Sequence, residues 1–411
     1  ARACTPTNHV TRGPRVGLAG ATGEKDHGGT VEDLSDIRKE IDSIDTQIVE
    51  LFKRRMSCAD AVAAYKRAHD LPVLDRSRER ELLSRRAAQV PEDMKVYTEV
   101  LFELLMEASR NRQGERLGTG GHTVEQIRDA LAHSPELFPR DAYVACQGVE
   151  GAYQQIATDR IFRHANIGYF DTFDAVFRAV EENYADFGVL PIENSTAGSV
   201  NQVFDLMMRH NFHIVRTCRL KVDHNLLAKP GCGLGDIRHI YSHEQAINQC
   251  GEFLSSLEGV TVHACENTAM ASKMVAESER RDVAALASRA CARIYGLDVL
   301  ASSAQDQGNN YTRFACISKD LSIYPGADRS TFMLVVNHEP GALYKVLAKF
   351  YDLDINIIKL ESRPIPDRDF EFMFYFDIDC PAASPEFFTL VRSLESTCEE
   401  FRYLGSYSEV I

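Results

Sequence analysis

The residues most able to do chemistry fall in two groups far apart in the chain. In the first, Arg55 and Lys66 are 66 − 55 = 11 residues apart. On a helix that is about three turns and about 16 Å, so both sit on one face and their long side chains can converge on one small dianion. Arg38 lies 55 − 38 = 17 residues before Arg55, about 25 Å along a helix axis. That is too far for the same site, so any role for Arg38 belongs to the partner helix of a dimer. Arg55 also continues the apolar series Leu34, Ile41, Ile48. A guanidinium in such a seam either fixes register or pairs with a carboxylate, or it awaits an anion, because an uncompensated buried charge is costly.

The second group is three polar runs: Glu193-Asn194-Ser195-Thr196-Ala197-Gly198, Ser242-His243-Glu244-Gln245, and Asn310-Tyr311-Thr312-Arg313-Phe314. The first follows a β-rich run and precedes a helical one. It reads as a capped turn, or as a helix N-terminus whose N–H groups bind a carboxylate. Alone, His243 reads as a structural histidine, and Thr312 beside Arg313 as an ordinary strand pair.

These residues need elements to position them. From Val31 to about Ala68, Leu34, Ile37, Ile41, Ile44, Ile48 and Leu51 recur in alternating steps of three and four, an a/d seam on one long helix. Thr30 and Asp33 resemble the start of a capping box. The seam requires a partner, either a second copy or later helices of the same chain. Leu71-Pro72 breaks the helix, a shorter one follows Asp75, and a third runs from about Glu92 to Gln113, before a Gly-rich linker at Gly114 to Gly121. From Ala142, β-rich runs (Tyr143–Ala145, Phe187–Leu190, His213–Thr217, Ile237–Tyr241, Val283–Leu286) alternate with helical patterns, the mark of a parallel or mixed α/β sheet. After a second linker at Asp320 to Arg329, the order is strand, helix, strand, strand, helix, strand: Thr331–Asn337, Ala342–Tyr351, Asn356–Arg363, Phe370–Asp379, Pro385–Leu394, Phe401–Ser406. That order is ferredoxin-like.

The 411 residues suggest several domains, with expected bounds of 1–30 for a disordered tail, 31–113 for the helices, 114–141 for a linker, 142–319 for the α/β region and 329–411 for the last module. A net charge of −14 argues against nucleic acid and anionic membrane as partners, so an anionic substrate must be met by Arg and Lys of the site itself. No run approaches the roughly 20 apolar residues of a membrane span. The first thirty residues lack a secretory apolar core, and an organellar transit peptide is the alternative to a plain tail. The eleven cysteines contain no C-x-x-C pair and fit reduced thiols in the cytoplasm. No metal cluster or cofactor loop stands out, so neither a metal nor a cofactor is expected.

Taken together, Arg38, Arg55, Lys66, Asp75, Arg78-Glu79, Ser109 and Gln113 resemble the all-helical class of chorismate mutases, over Leu34 to Gln113. The resemblance implies that Arg38 crosses from a second subunit, and that Arg55, Lys66 and Arg78 hold the carboxylates and ether oxygen of chorismate. Glu79 would take the ring hydroxyl, and Gln113, one helical turn from Ser109, would add a bond to the ether oxygen. A Claisen rearrangement needs the folded substrate held and charge on the ether oxygen stabilised, with no nucleophile or proton transfer, so Lys66 and Gln113 would be catalytic.

The region Ala142 to Ser318 resembles prephenate dehydratases, most specifically in Thr312-Arg313-Phe314 after Asn310. This adds Glu193, Asn194, Ser195, Thr196, Ser242 and Gln249 as expected substrate contacts, and implies two α/β lobes of periplasmic-binding type. The loop Cys146-Gln147-Gly148-Val149-Glu150-Gly151 departs from the family pattern, starting Cys-Gln where Leu or Tyr before Gly-Pro is more usual. Thr268-Ala269 after Glu266-Asn267 fills another family loop. The reaction implied is loss of CO2 and hydroxide from prephenate, giving phenylpyruvate. Thr312 either protonates the departing oxygen or hydrogen-bonds it, and Arg313 anchors a carboxylate.

In the last module, Gly341-Ala342-Leu343 and Glu361-Ser362-Arg363-Pro364 fit a plain βα turn and strand end. They also resemble the ACT regulatory domain, which implies phenylalanine bound at a dimer interface and feedback inhibition. The expected protein is therefore a homodimer or higher homo-oligomer that carries chorismate to phenylpyruvate. A non-catalytic amino-acid-binding protein is the competing reading, and an enzyme with one degenerate module is a third. The intact Thr312-Arg313 and Arg55/Lys66 pairs count against the binding-protein reading.

Overall fold

The computed structural model describes residues 33–69, 71, 73, 75–117, 122–366, 368 and 371–411. The expected tail and Thr30, Pro72 and Phe370 lie outside them. The described chain divides into two compact units, with the boundary after Cys58. The first contributes the start of helix α1 (Leu34–Ala68), the continuous helix its seam predicts. Leu34, Ile41 and Ile48 remain 59%, 51% and 56% exposed.

In the second unit, α2 (Arg76–Ala87) is capped by Asp75, whose carboxylate accepts from the Arg78 N–H at 3.0 Å. Helix α3 (Lys95–Leu117) follows a short 3-10 turn and is tied to the end of α1 by Asp60. That carboxylate takes a two-pronged bond from Arg112 at 3.0 and 2.9 Å and a third from Arg116 at 3.1 Å.

The strands in chain order are β1 (Asp141–Gln147), β2 (His164–Phe170), β3 (Phe187–Asn194), β4 (Gly198–Ser199), β5 (His213–Lys221), β6 (Asn225–Ala228), β7 (His239–His243), β8 (Thr261–Cys265), β9 (Val283–Ala287), β10 (Asp298–Ala301), β11 (Tyr311–Ser318), β12 (Arg329–Val335), β13 (Asn356–Pro364), β14 (Phe372–Asp379), β15 (Glu400–Tyr407) and β16 (Glu409–Val410). They form three sheets. The first runs β16-β5-β11-β3-β1-β2 with β4 on β3, the second β10-β6-β9-β7-β8, and the third β13-β14-β12-β15. β1 pairs in parallel with β2 and β3, so helices must cross over between them. One of these, Phe173–Glu181, buries Val176, Phe177, Ala179 and Val180 and is capped by Thr172. The chain leaves the first sheet after β5, builds the second, and returns as β11 between β5 and β3. Two lobes and a cleft follow from that excursion.

The C-terminal sheet and its helices Ala342–Asp352 and Pro385–Thr397 give the expected βαββαβ order around Phe332, Phe350, Phe376 and Phe387. Two features differ from expectation. The 114–141 stretch is not a plain linker, because it contains α4 (His122–His133), whose Val124, Ile127 and Ala130 are buried in the core of the C-terminal module. Those positions repeat at the helical steps of three, and α4 is amphipathic for that reason. The chain end also does not stop with the third sheet, since β16 pairs in parallel with β5 of the first. Gly405 permits this joint: with φ +138°, a Cβ there would meet the Ile214 carbonyl oxygen at 2.2 Å. No described helix is long and apolar enough to cross a membrane. The described cysteines are free thiols.

Candidate active site

β11 pairs antiparallel with β3, with Thr312 opposite Asn194 and Arg313 opposite Glu193. Opposed residues share a face of a sheet and successive residues alternate. Asn194 and Thr312 therefore look one way, and Glu193 and Arg313 the other.

On the first face, one hydrogen-bonded network joins five expected residues. The Asn194 amide donates to Thr312 Oγ1 at 2.9 Å and to Asn310 Oδ1 at 2.8 Å. Its carbonyl oxygen accepts from Thr196 N–H (3.1 Å), Thr196 O–H (2.7 Å) and Ala197 N–H (2.9 Å). Gln249 reaches over from the second lobe, donating to Thr196 Oγ1 and accepting from Asn310, both at 2.8 Å. Asn194, Asn310 and Thr312 are buried at 5%, 1% and 9% exposure. Ser195 stands at the edge, its hydroxyl donating to the Asn309 carbonyl and accepting from Tyr311 N–H. The network opens into a cleft of about 450 Å³ lined by Thr196, Ala197, Asn248, Gln249 and the run His243-Glu244-Gln245, which includes one carboxylate, Glu244. His243 caps its helix by accepting from Gln245 N–H through Nδ1, which directs Nε2–H outward.

Sequence reasoning missed His224. Its Nε2 lies 3.1 Å from Gln249 Oε1. Burial lowers its pKa, only partly opposed by Gln249, so the neutral ring serves as a fixed donor. A lone histidine before a short strand carries no signal that would single it out.

On the second face, Glu193 and Arg313, both expected as substrate contacts, point away from this network and are held by protein partners. Arg313 donates to Asp377 Oδ2 at 2.7 Å and lies 3.3 Å from Glu409 Oε1, all three side chains being under 10% exposed. Burial opposes its charge, but Tyr407, Asp377 and Glu409 together raise its pKa above the ordinary arginine value. Glu193 is taken by Lys359 at 2.8 Å. Ser242, also expected as a contact, is fully buried and donates to the Leu286 carbonyl at 2.7 Å, bridging strands of the second lobe.

Of the helical residues, Arg38 and Arg55 lie on the first unit's part of α1, Arg38 exposed. Within the second unit, Lys66 Nζ donates to the Val73 carbonyl at 2.6 Å. Arg78 is exposed near Glu81, and Glu79 is paired with Arg110 of α3, a residue not expected at the site. Ser109 bonds back to the Leu105 carbonyl. Gln113 is buried at 7% exposure, and its Oε1 has no hydrogen-bond partner among the described residues.

In the C-terminal module, Gly341 takes φ +80° to start the helix at Ala342, which is buried, with Leu343 partly so. β13 is an edge strand with alternating exposure: Ser362 and Pro364 face out, while Glu361 and Arg363 face the first lobe. Ser199 donates to Glu361, and Arg363 grips Asp205 at 2.8 and 2.9 Å.

With this geometry in hand, similarity to known proteins is informative. The prephenate dehydratase family model matches residues 144–322, and that of type II chorismate mutase matches residues 37–114. A bifunctional chorismate mutase/prephenate dehydratase of Aquifex aeolicus is 30% identical over 382 residues, 93% of this chain and 99% of that one. An arogenate dehydratase/prephenate dehydratase of Arabidopsis thaliana is 38% identical over 276 residues, 64% of this chain and 72% of that one. The crystal structure of prephenate dehydratase from Arthrobacter aurescens in complex with L-Phe superposes with a TM-score of 0.60 at 26% identity, covering 65% of this chain and 89% of that one.

Proposed function

The chain belongs to the bifunctional chorismate mutase/prephenate dehydratase family and is an enzyme with both activities; on that premise we propose how its residues divide the work. The dehydration belongs to the Asn194–Thr312 face of the cleft. The observation that carries this is the direction of one hydrogen bond. Because Asn194 donates to Thr312 Oγ1, the threonine's own O–H is left to point elsewhere, toward a bound substrate. The substrate's ring carboxylate leaves as CO2, its bonding electrons enter the ring, and the ring C–O bond breaks with its oxygen held by the Thr312 O–H. Hydroxide departs and takes a solvent proton, and phenylpyruvate remains. A preorganised donor favours the charge that develops on the leaving oxygen. With Arg313 turned away, the substrate's carboxylates are received by His243 Nε2–H and the second amide hydrogen of Gln249, because both Thr196 donors are committed to Asn194.

The rearrangement of chorismate belongs to the helices. Lys66 Nζ and Gln113 Nε2 supply donors for the ether oxygen, Gln113 being a polar side chain only 7% exposed. Arg78 receives a carboxylate, while Asp75 and Ser109 shape the site and Glu79, oriented by Arg110, takes the ring hydroxyl. A second copy of the chain covers the exposed α1 seam and contributes Arg38, so the enzyme is at least a homodimer. The C-terminal module acts as an ACT domain. Phenylalanine binds by Gly341–Leu343 and the outer face of Glu361–Pro364 and inhibits dehydration, a reading supported by the L-Phe complex of the Arthrobacter enzyme. The free thiols fit a cytoplasmic setting.

The test is phenylpyruvate formation from prephenate with and without phenylalanine. Formation that falls as phenylalanine is titrated in is expected. No phenylpyruvate would refute the dehydratase assignment, and a rate indifferent to phenylalanine would refute the regulatory one.

A further inference from the structure

We propose that Lys359 is a positioning residue for dehydration, fixing from the C-terminal module the hairpin that carries Asn194; this rests on the dehydratase reading above. Its Nζ donates to Glu193 Oε1 and to Ser199 Oγ, each at 2.8 Å, and its side chain is only 13% exposed. Glu193 and Ser199 are register partners on β3 and β4, so one ammonium holds both arms of that hairpin. The next pair up is Asn194 and Gly198, and the loop beyond it holds Thr196 and Ala197, which bond to the Asn194 carbonyl. Lys359 thus stands one residue pair below the amide that orients Thr312.

The charge balance shows what the ammonium does there. Glu361 lies 3.9 Å from Lys359 and accepts from Ser199, so two carboxylates, Glu193 and Glu361, flank one cation. Removing the cation leaves like charges facing each other across Ser199 in a half-buried site, and the hairpin is the lighter body that can move. Lys359 Nζ also lies over the Phe204 ring, 5.5 Å from its centroid. β13 itself stays docked without Lys359, through the Arg363–Asp205 pair and its register with β14. The inference is therefore a displaced hairpin and not an undocked module.

The experiment compares the full chain with Lys359→Met, Lys359→Arg and the double variant Lys359→Met/Glu193→Gln, assaying both reactions in each. Lys359→Met should lower kcat for prephenate dehydration about 10- to 100-fold, the cost of misplacing a catalytic group by about 1 Å, with chorismate consumption unchanged. Lys359→Arg should retain most of the activity, and the double variant should recover part of it, since the facing charges are gone. Wild-type kcat in Lys359→Met overturns the proposal, as does a loss that Glu193→Gln leaves untouched or that extends equally to chorismate consumption. A wild-type chain that yields no phenylpyruvate overturns the dehydratase reading instead.

Discussion

Replacing Asn194 by Asp changes almost no volume but turns the amide that donates to both Thr312 and Asn310 into an acceptor. The three donors on its carbonyl oxygen, Thr196 N–H, Thr196 O–H and Ala197 N–H, remain and hold the new carboxylate ionised. Its second oxygen then stands where the amide had donated to Thr312 Oγ1 and Asn310 Oδ1. Thr312 must turn its hydroxyl proton onto that oxygen, in a bond to a charged group worth about 1.5–3 kcal/mol. Dehydration requires the same proton on the leaving oxygen, so that bond must break first. The barrier rises by a similar amount, and kcat falls about 10- to 150-fold. The assay is initial phenylpyruvate release from saturating prephenate, with chorismate consumption by the same preparation as the measure of folded enzyme. Wild-type kcat in Asn194→Asp would refute the argument that Asn194 directs the Thr312 proton.

Other consequences are separable. Arg313→Met leaves Asp377 buried without its cation, while Glu409 keeps Arg329 at 3.1 Å, and should lower the unfolding free energy by about 3–5 kcal/mol in a denaturant titration; a raised KM with stability intact would restore Arg313 as a substrate anchor. His213 is pushed down to about 4, first by burial and then by Arg402, against Asp320. Its unfolded form takes up a proton at a higher pH than its folded form, so stability is present above about pH 6.5 and is lost as pH falls toward 4. Between pH 7 and pH 5 this amounts to about 2 kcal/mol, and His213→Asn should flatten that part of the pH profile of unfolding.

The long helix was legible because its seam is periodic, and the structure places it at Leu34–Ala68. The C-terminal order was legible from the same kind of pattern. α4 was hidden behind the Gly-rich stretch before it, although Val124, Ile127 and Ala130 have helical spacing. β16 is two residues long, and nothing local tells so short a strand which sheet it joins. At the site, Asn194, Thr196, Gln249, Asn310 and Thr312 were named from motifs, but only the β3–β11 register shows that they form one network. Strand alternation alone would have separated Thr312 from Arg313 and Asn194 from Glu193. Lys359 and Arg110 carry no such mark, since their meaning lies in carboxylates 359 − 193 = 166 and 110 − 79 = 31 residues away.

The central claim is that one chain holds two chemically separate sites, with Thr312 serving only the second. It is tested most directly by supplying chorismate to Thr312→Ala and following chorismate, prephenate and phenylpyruvate together. Chorismate consumed at the wild-type rate, with prephenate accumulating and little phenylpyruvate, is the predicted result. Phenylpyruvate formed at the wild-type rate, or chorismate left unconsumed, would contradict it.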